Sequence, residues 1–241
     1  MILLNTKKRS TQPEIMDEFD FQGRELEKVL DAIDRVNHNL GGYKVTISAI
    51  LQLLQKNQKQ MDKQIKIVEF GCGSGASLRR LADFFRKTNY TIQFIGIDAN
   101  PHIIKIAKSK SNSYDEIQLL TMDVFSEEFQ KINADITFAS LTLHHFKEKE
   151  IINLIQVLYA NTNFGVVIND LHRSKLAYRL FQLYALFFIR SKVAYKDGLI
   201  SILRGFKKND FFHYARQLNL KNSKFQIHWK WAFRFQWIIF R

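Results

Sequence analysis

The stretch Ile67-Val68-Glu69-Phe70-Gly71-Cys72-Gly73-Ser74-Gly75-Ala76-Ser77 constrains this chain more than any other. Apolar Ile65, Ile67, Val68 and Phe70 read as a buried strand that ends in glycines at alternate positions. A helical period follows at once, with Leu78, Leu81, Ala82 and Phe85 spaced i, i+3, i+4, i+7. Strand, glycine turn and helix make half of a nucleotide-binding βαβ unit. Glycine suits such a turn because the backbone takes unusual φ/ψ values and a ligand passes close over it. The start of the following helix then offers free N–H groups to a polar or anionic ligand group.

Two further strands end in acids. Thr91–Asp98 is followed by Asn100-Pro101, an N-cap and N1 pair that opens a helix through Ile103, Ile104 and Ala107. An acid placed like Asp98, with Ala99 beside it, can accept from both ribose hydroxyls of an adenosine. Ile117–Asp123 reads as a third strand, followed by Val124 and Phe125. The glycine string alone leaves two cofactors open. Gly71-x-Gly73-x-x-Ala76 satisfies the loose dinucleotide fingerprint, whereas Gly71-x-Gly73-x-Gly75 fits a loop that holds S-adenosylmethionine (SAM). A glycine turn that binds nothing is the plain alternative.

Glu69 separates these readings. Glu69-x-Gly71-x-Gly73-x-Gly75 resembles motif I of the class I SAM-dependent methyltransferases. The resemblance implies an α/β, Rossmann-like sheet with a terminal antiparallel hairpin and an N-terminal helical cap. It implies a cofactor set of Glu69, Phe70, Gly71, Gly73, Gly75, Asp98, Ala99, Asp123, Val124, Ser140 and Leu141. Glu69 would fix the loop or reach the methionine part of SAM through water, and Asp123 would accept from the adenine amino group. A fourth strand, Ala134–Leu141, runs into Thr142-Leu143-His144-His145-Phe146. That segment resembles its counterpart in small-molecule O- and C-methyltransferases, including quinone and polyketide tailoring enzymes. The Asn/Asp-Pro-Pro-Tyr/Phe segment of many DNA and protein N-methyltransferases is missing from it, as is the paired-glutamate signature of arginine methyltransferases.

A fifth strand, Phe164–Asp170, delivers Asp170-Leu171-His172-Arg173-Ser174 to the sheet edge where open α/β folds bind ligands. His144, His145 and His172 are therefore the candidate catalytic residues, and His172 is preferred for its polar neighbours. One of them would take the proton of a phenol or enol as methyl transfer begins; the plainer role for each is packing or loop support. Asn169-Asp170 also resembles part of the metal site of catechol methyltransferases. That site needs a further acid where this chain has His144, so no metal is expected.

The flanking segments set the domain organisation. Residues 1–20 lack a period, and the apolar start Met1–Asn5 is too short for a signal peptide, with its charges on the wrong side. Two amphipathic helices are expected, from Arg24 to a stop at Gly41-Gly42 and from about Lys44 to Asn57, before a charged segment Lys56–Lys66. Residues 1–64 thus read as a helical cap and 65–241 as the SAM-binding domain. Beyond the fifth strand, Leu176–Ile189 is apolar nearly all round and reads as a lid helix at about 174–190, too short to span a bilayer. A loop holding Gly198 and Gly205, a helix at about Lys207–Leu218, and a hairpin of Lys224–Trp231 with Arg234–Phe240 complete the chain.

Composition matters at two points. Cys72 is the single cysteine, which excludes an internal disulfide and points to a reducing cytoplasm. The net charge of +13 belongs entirely to residues 171–241, which hold 15 Lys and Arg against 2 acids. Such one-ended charge suits a polyanionic partner, either an RNA or the anionic inner face of a membrane. A solvated basic surface is the bland alternative. The expected substrate is a small hydrophobic aromatic, polyketide or quinone-like acceptor methylated on oxygen, with carbon second; the alternative is an RNA methyltransferase that uses the basic C-terminal third.

Overall fold

Strands β1 (Ile65–Phe70), β2 (Ile92–Asp98), β3 (Ile117–Thr121), β4 (Ala134–Ser140) and β5 (Thr162–Leu171) run parallel, each joined to the next through a connection carrying a helix. A terminal pair, β6 (Phe225–Lys230) and β7 (Arg234–Phe240), completes a seven-stranded sheet of order β3-β2-β1-β4-β5-β7-β6. Strand β7 lies antiparallel between β5 and β6. The expected hairpin on a parallel Rossmann-like sheet is therefore present. This computed structural model describes residues 4–18, 20–58 and 64–241. The expectations for Met1–Leu3 and for the middle of the charged Lys56–Lys66 segment lie outside the described residues.

Parallel strands are buried on both faces, and their sequences are accordingly near-continuous apolar runs. Beneath one face, Val68, Phe70, Ile97, Val166 and Ile168 pack with Leu154 and Ile155 of α6 (Glu148–Ala160) and Phe211 of α9 (Lys208–Gln217). Against the other, Ile67, Phe94, Phe138 and Val167 meet α3 (Ala76–Phe85) and α4 (Pro101–Lys110) through Leu78, Leu81, Phe85 and Ile104. A short helix, α5 (Glu127–Gln130), precedes β4.

The two N-terminal helices have different places. In α1 (Gly23–Asn39), Leu26, Val29 and Leu30 are buried toward the glycine loop side. Helix α2 (Gly42–Lys56) instead puts Ile50, Leu53 and Leu54 into the sheet core beside β5 and β7. Gly41 joins them at φ 71°, a left-handed conformation that glycine adopts without penalty.

Helix α7 (Lys175–Phe188) matches the expected lid in extent. The segment after it differs from expectation. In place of a loop, Lys192–Arg204 forms a further helix, α8. Gly198 does not break α8: a Cβ there would stand 2.3 Å from the Phe181 ring, so glycine lets α7 and α8 approach closely. Gly205 ends the helix. A second difference is small: β3 stops at Thr121, two residues short of the expected end at Asp123.

Candidate functional site

The turn after β1 is built from backbone that only glycine supplies cheaply. Gly71, Gly73 and Gly75 have φ of 63°, 53° and 74°. At Gly71 there is no room either, since a Cβ would lie 2.1 Å from Thr142 Cγ2. Thr142 in turn donates its hydroxyl to Gly71 O at 3.2 Å, tying the loop to the segment after β4. Asp98 closes the loop from β2: its carboxylate accepts from Gly73 N and from Asn100 N, both at 3.1 Å. Each oxygen keeps a lone pair for a further donor.

One cavity of about 830 Å³ opens beside this loop. Glu69, Phe70, Gly71, Gly73, Asp98 and Ala99 line its inner end. Asp123, Val124, Ser140 and Leu141 line it from the neighbouring strand ends. Gly75 is set apart from the wall and serves as the N-cap of α3. Asp123 is solvent-exposed and accepts from Phe125 N at 2.9 Å, while Val124 beside it is buried. Leu141 is held at φ 56° with its N–H on Asn169 O at 2.9 Å. Burial raises the Glu69 carboxyl well above its ordinary range, and the neighbouring Asp34 and Asp98 add to the shift. Burial likewise pushes the Asp98 carboxyl up, against the backbone N–H groups that hold it.

SAM is a fitting occupant on these observations. Glu69 Oε2 is a buried acceptor with no partner, and the glycines leave a cradle where side chains would intrude. Asp98 adds a carboxylate with spare acceptor capacity at the same end.

The three candidate histidines all reach the cavity, but at two separate places. His144 and His145 stand side by side, ring centroids 4.3 Å apart, in a 3₁₀ turn after β4. Asp170 Oδ1 accepts from His144 Nδ1 at 2.7 Å, and Asp17 Oδ1 pairs with His145 Nδ1 at 2.6 Å. Burial opposes a charge on His144, yet Asp170 and Glu14 outweigh it and raise its pKa to about 9. Asp170 is held below the usual carboxylate range: burial opposes this, and the facing His144 prevails. Asn169 takes no part there; its Nδ2 donates to Gly42 O, Thr46 Oγ1 and Ser140 Oγ.

His172 sits across the cavity against Phe233, Phe235 and Trp229. Trp229 Nε1 donates to its Nδ1 at 3.3 Å, which leaves Nε2 to carry the proton of the neutral ring. Burial lowers its pKa, and Lys207 and Arg173 lower it further. The preference for His172 as the base therefore gains nothing from its surroundings, because its free lone pair already faces a donor.

Several cavity residues escaped the sequence reading. Glu14, buried to 2% exposure, faces His144 and His145 from the N-terminal segment. Asp197 of α8 fixes that segment by accepting from Ile15 N and Met16 N at 2.9 and 3.0 Å. Arg204 clamps the same place, donating to His144 O, His145 O and Asp17. From α1, Asp34 accepts from Ser74 Oγ at 2.6 Å, drawing the helix onto the glycine loop. Arg234 is buried with Nε and Nη1 unpartnered, and burial brings its pKa down to about 10. These residues lie tens to nearly two hundred positions from their partners, so no spacing announces them.

The far end of the cavity is apolar. Leu180, Phe181 and Tyr184 of α7, Ile189, and Trp229, Trp231 and Phe233 of the β6–β7 turn form its walls.

Residues 67–165 match the family described as Methyltransferase domain. A search of curated proteins found no match. Among solved structures, the plantazolicin methyltransferase BpumL in complex with a triazolic desmethylPZN analog and SAH superposes with a TM-score of 0.63 at 14% identity, covering 88% of this chain and 90% of that one. Magnesium protoporphyrin IX methyltransferase from Synechocystis PCC 6803 with bound SAH gives 0.53 at 14% identity, over 86% and 84%. An O-methyltransferase family 2 protein from Planctomyces limnophilus in complex with apigenin gives 0.53 at 16%, over 73% of this chain and 51% of that one. These likenesses establish the fold. With the methyltransferase-domain match over residues 67–165 and the glycine-loop site, they give the sheet the class I methyltransferase fold. A SAM-dependent methyltransferase is the activity these findings support.

Proposed function

We propose that this enzyme methylates an oxygen, less readily a carbon, of a small hydrophobic aromatic, polyketide or quinone-like acceptor. The observation that carries the reading is the continuity of one cavity from the glycine loop to the aromatic wall of α7 and the β6–β7 turn. Its volume of about 830 Å³ falls in the range of small-molecule sites. The apigenin and desmethylPZN-analog complexes of similar structures support a compact acceptor.

Glu69, the loop from Gly71 to Gly75, Asp98 and Asp123 would hold the cofactor, with Phe70, Ala99, Val124, Ser140 and Leu141 shaping its bed. When bound, SAM would supply an electrophilic methyl group for the acceptor oxygen, and the acceptor's hydroxyl proton would pass to the histidine pair His144 and His145. The chain contributes mainly by positioning, which can remove several kcal/mol from the barrier of a bimolecular step. Phe181, Tyr184 and Trp229 exclude water and hold the acceptor's apolar body. The acceptor hydroxyl lies toward His144 and His145, where carboxylates fix both imidazoles. His172, whose lone pair is taken by Trp229, orients the acceptor. A screen of hydrophobic phenols and enols with methyl-labelled SAM tests the reading. O-methylated product from such acceptors is expected; labelling of RNA alone would contradict it.

The outward face of α7 extends the proposal. Leu176, Leu183, Leu186, Phe187 and Phe188 are exposed, with Lys175, Arg179, Arg190 and Lys192 around them. Apolar area framed by cations suits the anionic face of a membrane from which a lipophilic acceptor enters. No helix among the described residues is long and apolar enough to cross a bilayer.

A further inference from the structure

We propose that Glu14, His144 and His145 bind a divalent first-row transition-metal ion of the zinc type in the wall of the cavity. One ligand atom from each, a carboxylate oxygen and two imidazole nitrogens, lies within 4.8 Å of the others. The two rings are set for ligation in the same way. Asp170 engages Nδ1 of His144 at 2.7 Å and Asp17 engages Nδ1 of His145 at 2.6 Å. A carboxylate on Nδ1 turns the lone pair to Nε2 and strengthens it as a donor, the usual outer partner of a metal-bound histidine. Both Nε2 atoms then face the Glu14 carboxylate.

One of the two spacings is that of a pair of metal ligands, and the other is somewhat wider. His144 Nε2 stands 3.5 Å from Glu14 Oε1, and His145 Nε2 stands 4.0 Å from Oε2. Ligand atoms about 2.0–2.2 Å from a tetrahedral ion are separated by roughly 3.3–3.6 Å. Glu14 Oε1 and His144 Nε2 are also buried atoms with no hydrogen-bond partner, a costly state that an ion relieves. Charge agrees. Glu14, Asp17 and Asp170 outnumber the nearby cations, Arg204, whose Nη1 is 3.7 Å from Glu14 Oε1 and 2.7 Å from Asp17 Oδ2, and Arg9, whose Nη2 donates to His144 O at 3.0 Å. Two imidazoles with one carboxylate suit zinc, cobalt or iron(II), and leave coordination positions free.

All three ligands line the cavity, so those positions are reached from the acceptor side. This role as a Lewis acid for the acceptor oxygen rests on the proposed function; the ion's binding does not. Purified full-length protein, stripped with chelator, is titrated with zinc by calorimetry and with cobalt by visible absorption. One ion per chain is expected, with the intense d–d bands of low-coordinate cobalt. Asp17→Asn should weaken zinc binding about 10–100-fold, the usual effect of losing an outer partner. Glu14→Gln and His145→Gln should weaken it further, while His213→Gln on the surface leaves it unchanged. SAM titrations of the same samples separate the two readings, because the cofactor end should stay intact in every variant. Folded protein that takes up no zinc or cobalt, or Glu14→Gln and His145→Gln variants that bind zinc as tightly as the parent, would overturn the site. Zinc uptake without SAM binding would keep the site and reject the proposed function.

Discussion

Asp98 shows how one side chain can have two tasks. Its carboxylate already organises the loop through Gly73 N and Asn100 N, and its remaining lone pairs face the cavity. Asp98→Ala is expected to weaken SAM binding by about 1.5–3 kcal/mol, the usual range for hydrogen bonds to a charged group, measured by calorimetry. Cys72 illustrates the opposite case of a reactive group made inert. Burial raises its thiol pKa well above the ordinary value, with Asp98 and Glu69 adding to the effect. In the native protein a thiol reagent should therefore modify it at least about tenfold more slowly than after denaturation, because the thiolate is the reacting form. Both residues were legible in the sequence as loop and strand-end positions. Glu14 was not, because it meets His144 across 130 positions and nothing in a local pattern records such a contact.

Elements were read well where period and punctuation agreed. The alternating glycines, the Asn100-Pro101 cap and the closing aromatic strands all occur where local chemistry places them. Helix α8 was missed because Gly198 reads as a breaker, whereas its lack of a side chain serves the contact with Phe181. Burial was harder to read than helicity in α7. Its apolar residues divide between the cavity wall and solvent, and only Ala177 and Ala185 are fully buried. Phe187 and Phe188 are 75% and 49% exposed, so replacing both with Ser should leave the core untouched. Sedimentation with anionic vesicles should then fall at least about tenfold, given the apolar area lost. An unchanged bound fraction would detach α7 from any lipid role. The turn after β4 supports a separate test. His145→Ala is expected to lower kcat by about 10²–10⁴ on an acceptor found by screening, with the SAM dissociation constant unchanged. His172→Ala should act mainly on KM.

At the scale of the molecule, the parallel sheet brings five strand ends to one edge, and the segment around Glu14 returns to close the cavity built there. The closure depends on Asp197, Arg204 and Glu14, which join α8, the turn after β4 and the segment around Glu14 and Ile15 into one wall. Of the positive charge in residues 171–241, Lys175, Arg179, Arg190 and Lys192 lie on or beside the exposed face of α7, while Arg173, Arg204 and Arg234 are buried in the fold. All of this chemistry depends on SAM binding at the glycine-loop end. Calorimetric titration of the purified protein with SAM, with SAH and with NAD tests it most directly. Micromolar binding of SAM and SAH with no NAD binding is the predicted result; NAD bound in place of SAM would contradict the account.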